Sequence, residues 1–368
     1  MNRREFLQSL CLAGGTLCLG FEAVAASNDE RFLSEASYYE VLDNKMVRCL
    51  ICPRQCVVGP GYRGFCRVKE NIDGKYYSLV YGRVCSYHID PIEKKPLFHF
   101  LPGTTAFSIA TAGCNLTCKF CQNWEISQQQ PENVDAVNLT PARVADIAAK
   151  YGCPTIAYTY NEPTVFYEFM LDCASEGKNK HIRSVMISAG YLNRKPLLEL
   201  ATHMDAIKID LKSFSEDFYS KICSAKLKPV LDTIVAVREQ GTWLEIVNLI
   251  IPTLNDDPKE IEKMCLWIIR NVGDDVPVHF TRFYPTYKLK NLPPTPVSSV
   301  ERARDIAMSK GLKYAYVGNV PIGHPGESTY CPSCQKRIVD RWGFSVRSLH
   351  IKDGRCEYCG QPIPGVWS

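Results

Sequence analysis

From about residue 104 onward, short apolar runs alternate with amphipathic stretches, and this alternation constrains the fold more than any other feature of the chain. The runs at 106–111, 155–159, 183–188, 206–211, 243–251, 278–283 and 313–317 predict strands. Helical patterns at 141–151, 163–176, 229–240, 259–271 and 299–310 separate them. Strands that alternate with crossover helices build a parallel sheet, so an α/β class is expected, as an open or partial (β/α) barrel. Thr140 before Pro141 predicts an N-cap with proline in the first turn. Ser298 with Glu301 predicts a capping box, and Gly177, Gly241 and Gly311 are expected helix stops.

Directly after the first predicted strand comes Gly113-Cys114-Asn115-Leu116-Thr117-Cys118-Lys119-Phe120-Cys121. Barrels of this kind keep their active residues at the C-terminal ends of strands, so topology alone places these cysteines on a catalytic face. A thiolate-held cubane normally takes four cysteines. Three on one loop leave one iron open for a small molecule. The competing reading is a zinc knot, but zinc favours a C-x2-C pair with a second pair further on, and here the other spacing is x3 with Phe120 between the last two cysteines.

Of the eighteen cysteines, two further groups stand out. Cys331, Cys334, Cys356 and Cys359 form C-x2-C…C-x2-C, close to zinc-ribbon spacing, with rubredoxin-like iron as the alternative. A tail this short needs a metal staple, because it cannot build a large core. Cys49, Cys52, Cys56 and Cys66 lie among glycines and prolines; they are read either as ligands of a metal or cluster or as packing thiols. Cys85, Cys153, Cys173, Cys223 and Cys265 are read as buried packing residues. The expected division is a leader at 1–27, a Cys-rich N-terminal module at 28–100, the partial barrel at 101–326 and a zinc-ribbon-like tail at 327–368.

A net charge of +4 and the lack of any basic or aromatic stripe argue against a nucleic-acid partner. Arg3-Arg4 followed by an apolar run at 10–21 and by Ala23-Val24-Ala25 matches a twin-arginine leader. The run is too short to span a bilayer. Periplasmic export is therefore expected, with an uncleaved N-terminal helix on a cytoplasmic protein as the alternative.

Cys114, Cys118 and Cys121 with Phe120 resemble the signature of radical S-adenosylmethionine (SAM) enzymes. Further stretches narrow the likeness: Asp90-Pro91-Ile92-Glu93-Lys94-Lys95-Pro96-Leu97, Cys121-Gln122-Asn123-Trp124, Thr159-Tyr160-Asn161-Glu162-Pro163, Asp210-Leu211-Lys212 and Tyr316-Val317-Gly318-Asn319-Val320. Together they resemble the radical SAM member of the AmmeMemoRadiSam system, a group similar to pyruvate formate-lyase activating enzymes. The resemblance implies the partial barrel, a [4Fe–4S] cluster on Cys114, Cys118 and Cys121, and SAM on the open iron. One-electron cleavage of SAM would give a 5′-deoxyadenosyl radical that abstracts hydrogen from a substrate, in one version from a glycine of a partner protein.

The same resemblance places Phe120 near the adenine and makes Asn161 and Glu162 candidates for the SAM ammonium group, although Asn161-Glu162 stands where relatives carry Gly-Gly-Glu. On position alone Glu162 is equally a helix-start carboxylate favoured by the macrodipole. Asp210 and Lys212 alternate onto one side of a strand and read either as an ion pair or as SAM contacts. Ser188, Asn248 and His279 complete the cofactor-binding candidates; a lone strand histidine is more often a hydrogen-bonded core residue. Expected partners are an electron donor such as flavodoxin or ferredoxin and proteins of the AmmeMemoRadiSam system, with Zn2+ in the tail. A non-catalytic electron-transfer protein carrying a cubane and a rubredoxin-like centre is the alternative function.

Overall fold

A computed structural model describes residues 32–368, so the leader expected at 1–27 lies outside the described residues. By internal contacts these form two compact units. One comprises the chain up to Pro91, Thr104–Asn115 and Asn123–Ile187; the other comprises Ile92–Gly103, Leu116–Gln122 and Ser188–Ser368.

In the first unit the N-terminal module consists of two small antiparallel sheets, one from Tyr39–Val41, Val47–Cys49 and Val57–Val58, the other from Ser34–Glu35, Lys69–Ile72 and Lys75–Ser78. Buried Asn71 ties them together. Its Nδ2 donates to the Lys45 and Val58 carbonyls at 2.8 and 2.7 Å, and its Oδ1 accepts from Gly74 N at 2.8 Å. Beyond the module, β1 (Ser86–Pro91) pairs antiparallel with β2 (Thr105–Ala110). β3 (Thr155–Tyr158) then runs parallel between β2 and β4 (Arg183–Ser188). β3 is buried along its whole length, as expected of a strand covered on both faces.

Helix α1 (Pro141–Lys150) starts as expected: Thr140 Oγ1 accepts from Arg143 N at 3.3 Å. Helix α2 (Tyr167–Asn179) passes through Gly177 instead of stopping there. A Cβ on Gly177 would lie 3.1 Å from Ile156 Cδ1 and 3.3 Å from the Ile182 carbonyl, so this glycine serves close helix–strand packing, not termination. Lys69 Nζ reaches both Glu168 oxygens at 2.8 and 2.6 Å, both side chains being buried, and locks the module to α2.

The second unit carries β5 (Ala206–Asp210), β6 (Trp243–Ile250), β7 (Val278–Arg282) and β8 (Ala315–Gly318), parallel throughout and paired in sequence order. Their partners in chain order are α3 (Arg194–Ala201), α4 (Leu227–Glu239), α5 (Pro258–Val272) and α6 (Val297–Ser309). Gly241, at φ +76°, follows α4, and Gly311, at φ +108°, follows α6, both as expected of helix stops. The capping box at Ser298 does not form. Thr295 is pinned between Phe283 and the Ile250 carbonyl, so the helix begins at Val297, straight after Pro296, and Glu301 accepts from His324 at 3.0 Å instead.

All seven expected strands are present, and the sequence reading missed β1 and α3. The C-terminal ribbon, Thr329–Tyr330, Arg337–Trp342 and Ser345–Leu349, shares a core with the sheet through Phe98, Tyr316, Cys331, Ile338, Cys356 and Ile363. Fully buried Arg341 anchors it: Nη2 donates to the Phe98 carbonyl at 2.6 Å and Nη1 to Thr329 Oγ1 at 2.8 Å. Among the described residues no helix is long and apolar enough to cross a membrane.

Candidate cofactor and metal sites

Cys114 follows the C-terminal end of β2 in the first unit. Gly113, just before it, has φ +88°, and a Cβ there would meet Val68 Cγ1 at 2.5 Å and the Cys66 carbonyl at 2.6 Å. Only glycine fits that approach. Asn161, after β3, clasps the same turn. Its Nδ2 donates to the Thr111 and Gly113 carbonyls, both at 2.8 Å, while buried Oδ1 has no partner among the described residues. Asn123 fixes the neighbouring loop by donating to the Tyr160 carbonyl at 2.6 Å. Glu162 is buried and caps its own short helix through Thr164 N at 3.3 Å. Glu162 thus stands at a helix start, but buried rather than on the surface.

Cys118, Phe120 and Cys121 belong to the second unit, where the loop hydrogen-bonds to Tyr219–Cys223, a π-helical turn: Thr117 N donates to Cys223 O at 3.2 Å and Lys119 N to Ile222 O at 2.9 Å. Cys223, expected to be a packing residue, instead hydrogen-bonds Cys118 and holds that thiol below its ordinary range against the opposing effect of burial. Nothing in its own surroundings in the sequence signalled this.

At the end of β5, Asp210 pairs with Lys212 Nζ at 3.2 Å and with Lys208. Burial alone would raise the Asp210 carboxyl; Lys208 and Lys212 overcome it and bring it down to about 2. Lys208 went unnoticed although it shares the same alternation. Burial opposes the Lys212 charge, yet Asp210 keeps it ionised well above its ordinary range. Its Nζ stands 5.7 Å from the centre of the Phe120 ring. Asn248 supports this strand end, with Nδ2 donating to the Leu211 carbonyl at 2.7 Å and buried Oδ1 left without a partner among the described residues. Ser188 closes β4, its Oγ accepting from Gly190 N at 2.9 Å.

His279 lies elsewhere. It occupies the second position of β7, away from the strand's C-terminal end, and its Nε2 bonds Glu245 Oε2 at 2.7 Å. Glu245 also accepts from Phe98 N at 3.0 Å, His99 N at 2.8 Å and Trp243 Nε1 at 3.1 Å. Burial drives the imidazole down, so neutral His279 donates from Nε2. Burial would raise the carboxyl, but His279 and the other donors keep Glu245 ionised below its ordinary range. His279 is thus a hydrogen-bonded core residue in the structure, the commoner role of a lone strand histidine.

In the tail, the sulfurs of Cys331, Cys334, Cys356 and Cys359 all lie within 4.8 Å of one another, with Cys331–Cys359 at 3.6 Å and Cys334–Cys356 at 3.8 Å. A tetrahedral ion with metal–sulfur bonds of about 2.3 Å spaces its sulfurs about 3.8 Å apart, so the tail fits a single metal ion. The ribbon-like tail is as expected.

The donor sets also fit the groups that the motifs imply. Three thiols on one loop match a cubane with an open iron. Among the buried acceptors without a partner in the described residues, Asn161 Oδ1 in the first unit and Asn248 Oδ1 in the second each suit a group that brings N–H or O–H donors, as SAM does.

Comparison with known proteins agrees. The family model described as Radical SAM superfamily matches residues 108–268. A protein of Methanocaldococcus jannaschii called uncharacterized protein MJ0808 is 46% identical over 333 residues, covering 90% of this chain and 99% of that protein. The pyruvate formate-lyase-activating enzyme of Clostridium pasteurianum is 25% identical over 163 residues, covering 44% of this chain and 67% of that enzyme. A solved radical SAM methyltransferase from Sphaerobacter thermophilus aligns at 15% identity and a TM-score of 0.47, over 78% of this chain and 76% of its own. The chain belongs to the family of the Methanocaldococcus protein and is a radical SAM enzyme.

Proposed function

We propose that this enzyme holds a [4Fe–4S] cluster on Cys114, Cys118 and Cys121 and generates a 5′-deoxyadenosyl radical that removes hydrogen from a glycine of a partner protein. The observation that carries the reading is the three-cysteine loop that directly follows β2, with buried acceptors at Asn161 Oδ1 and Asn248 Oδ1 that find no partner among the described residues. When bound, the cluster and SAM supply one-electron cleavage of a carbon–sulfur bond. The chain's own residues position and shield. Asn161 rigidifies the Cys114 turn and offers Oδ1 to the ammonium group; Glu162 stands beside it as the acidic member. Lys212 and Asp210 face the carboxylate and the ribose. Phe120 packs near the adenine, and Ser188 and Asn248 complete the contacts at the strand ends. A flavodoxin or ferredoxin supplies the electron, and the partner comes from the AmmeMemoRadiSam system. The tail tetrad holds structural zinc, and the twin-arginine leader directs the folded enzyme to the periplasm.

The activating-enzyme relatives support a protein substrate. The test is anaerobic incubation of the reconstituted enzyme with SAM and dithionite. Formation of 5′-deoxyadenosine, lost in Cys118→Ala, is the expected result. Iron-loaded protein that leaves SAM intact would favour the electron-transfer alternative.

A further inference from the structure

The four N-terminal cysteines converge. Cys49 N–H donates to the Cys56 carbonyl at 3.0 Å, Gln55 N–H, beside Cys56, closes a turn on the Cys52 carbonyl at 3.1 Å, and Arg67 N–H, beside Cys66, closes one on the Gly64 carbonyl at 2.9 Å. Every sulfur also has a backbone N–H turned toward it. The N–H of Ile51 faces Cys49, that of Arg54 faces Cys52 and that of Val68 faces Cys66, each from two residues further on. Phe65 N–H donates to Cys56 Sγ at 3.4 Å. The tail tetrad uses the same device, with Ser333 N–H toward Cys331 and Gln361 N–H toward Cys359. Donors aimed at sulfur stabilise bound thiolates and tune the metal they carry. Packing thiols need no such array.

The spacing separates the two tetrads. In the tail the sulfurs nearly touch, as one tetrahedral ion requires. Among the described residues the tail set alone gathers three or more ligand atoms within 4.8 Å, so the N-terminal sulfurs stand farther apart. A cluster places each cysteine on its own iron and needs that wider cage. The module supplies rigid walls: Cys49 and Cys52 are buried, and a Cβ on Gly64 would fall 2.5 Å from the Tyr76 hydroxyl and 3.8 Å from Cys56 Sγ.

We propose that Cys49, Cys52, Cys56 and Cys66 hold a second iron–sulfur cluster, of the four-cysteine cubane type. It sits hard against the catalytic loop. The Cys66 carbonyl packs on Gly113, the residue before Cys114, and Arg54 Nε donates to the carbonyl of Asn115, the residue after it, at 2.5 Å. The assignment stands whether or not SAM is cleaved.

The test uses the full-length Cys114→Ser/Cys118→Ser/Cys121→Ser variant, reconstituted anaerobically with iron and sulfide. About four irons and four sulfides per chain are expected, with a dithionite-reduced EPR signal indifferent to SAM. A variant holding no iron, or zinc at both tetrads, would overturn the assignment. As a control against misfolding, Cys49→Ser/Cys66→Ser with the triad intact should lose about half of the wild-type iron while the remaining EPR signal still responds to SAM. Full retention of iron would overturn it too. Failure of SAM cleavage in the wild type bears on the proposed function alone.

Discussion

Asn161 donates its side-chain amide to the carbonyl of Gly113 at 2.8 Å, one residue before Cys114, so a residue after β3 sets the turn that presents a ligand after β2. Gly113 cannot brace itself, being held at φ +88° against Cys66 and Val68. Replacing Asn161 by Ala removes the hydrogen bonds to Thr111 and Gly113 and leaves buried carbonyls unpaired. The expected loss is about 2 kcal/mol, at roughly 1 kcal/mol per bond. A lower urea midpoint should accompany weaker iron retention during reconstitution. Unchanged iron content and stability would show that the turn holds its shape without the clasp.

The charge trio at the end of β5 yields a pH dependence. Asp210 titrates at about 2 when folded, because Lys208 and Lys212 outweigh burial. In the unfolded chain a carboxyl of this type titrates near 3.9. A depressed folded value means stability that is fully present above the unfolded value and disappears as pH falls toward 2. The contribution is about 2–3 kcal/mol. Asp210→Asn should therefore be less stable than the wild type at pH 6, with the gap starting to close below about pH 4. Urea denaturation of both proteins from pH 6 to pH 3 measures it, and a constant gap would remove Asp210 as its source.

How far the sequence could be read follows from range. Apolar runs report strands because burial is local to the run, and all seven strands stand where the alternation puts them. The triad and the tail tetrad were legible because ligand spacing is itself local. β1 was missed because Ser86-Tyr87-His88-Ile89-Asp90-Pro91 carries mostly polar side chains, in keeping with an antiparallel edge partner. The interactions of Cys223 and Glu245 were out of reach, since Cys118 and Phe98 come to them from more than a hundred positions away. Gly177 misled for the opposite reason. A glycine near a helix end reads as a stop, and only the approach of Ile156 shows that its missing Cβ is what matters.

His279 and Glu245 illustrate how a strand histidine is kept in the core. Glu245 takes four donors from Phe98, His99, Trp243 and His279, all inside the second unit. Removing the carboxylate leaves those donors buried and unpaired, and Glu245→Ala should cost about 3–5 kcal/mol. His279→Gln keeps a donor near the same place and should cost much less. Because the pair lies away from the C-terminal end of β7, His279→Gln should leave SAM affinity unchanged. Thermal denaturation with isothermal titration of SAM checks both; a weakened SAM complex without loss of stability would return His279 to the cofactor site.

The tail tetrad is bound into the fold more tightly than its length suggests, because Cys331 and Cys356 belong to the same buried cluster as Phe98 and Tyr316. Metal loss should therefore unsettle more than the ribbon. With the ion removed, the buried sulfurs become uncompensated polar groups, and the Arg341 anchor on the Phe98 carbonyl loses its rigid support. Cys359, the exposed member, offers the cleanest probe, since its replacement disturbs packing least. Cys359→Ser should lose one metal ion per chain, expose the ribbon to protease and lower the melting temperature of the whole second unit. Elemental analysis, limited proteolysis and calorimetry provide the measurements. Loss of the ion with an unaltered melting profile would mean that Arg341 and the apolar cluster hold the ribbon without metal.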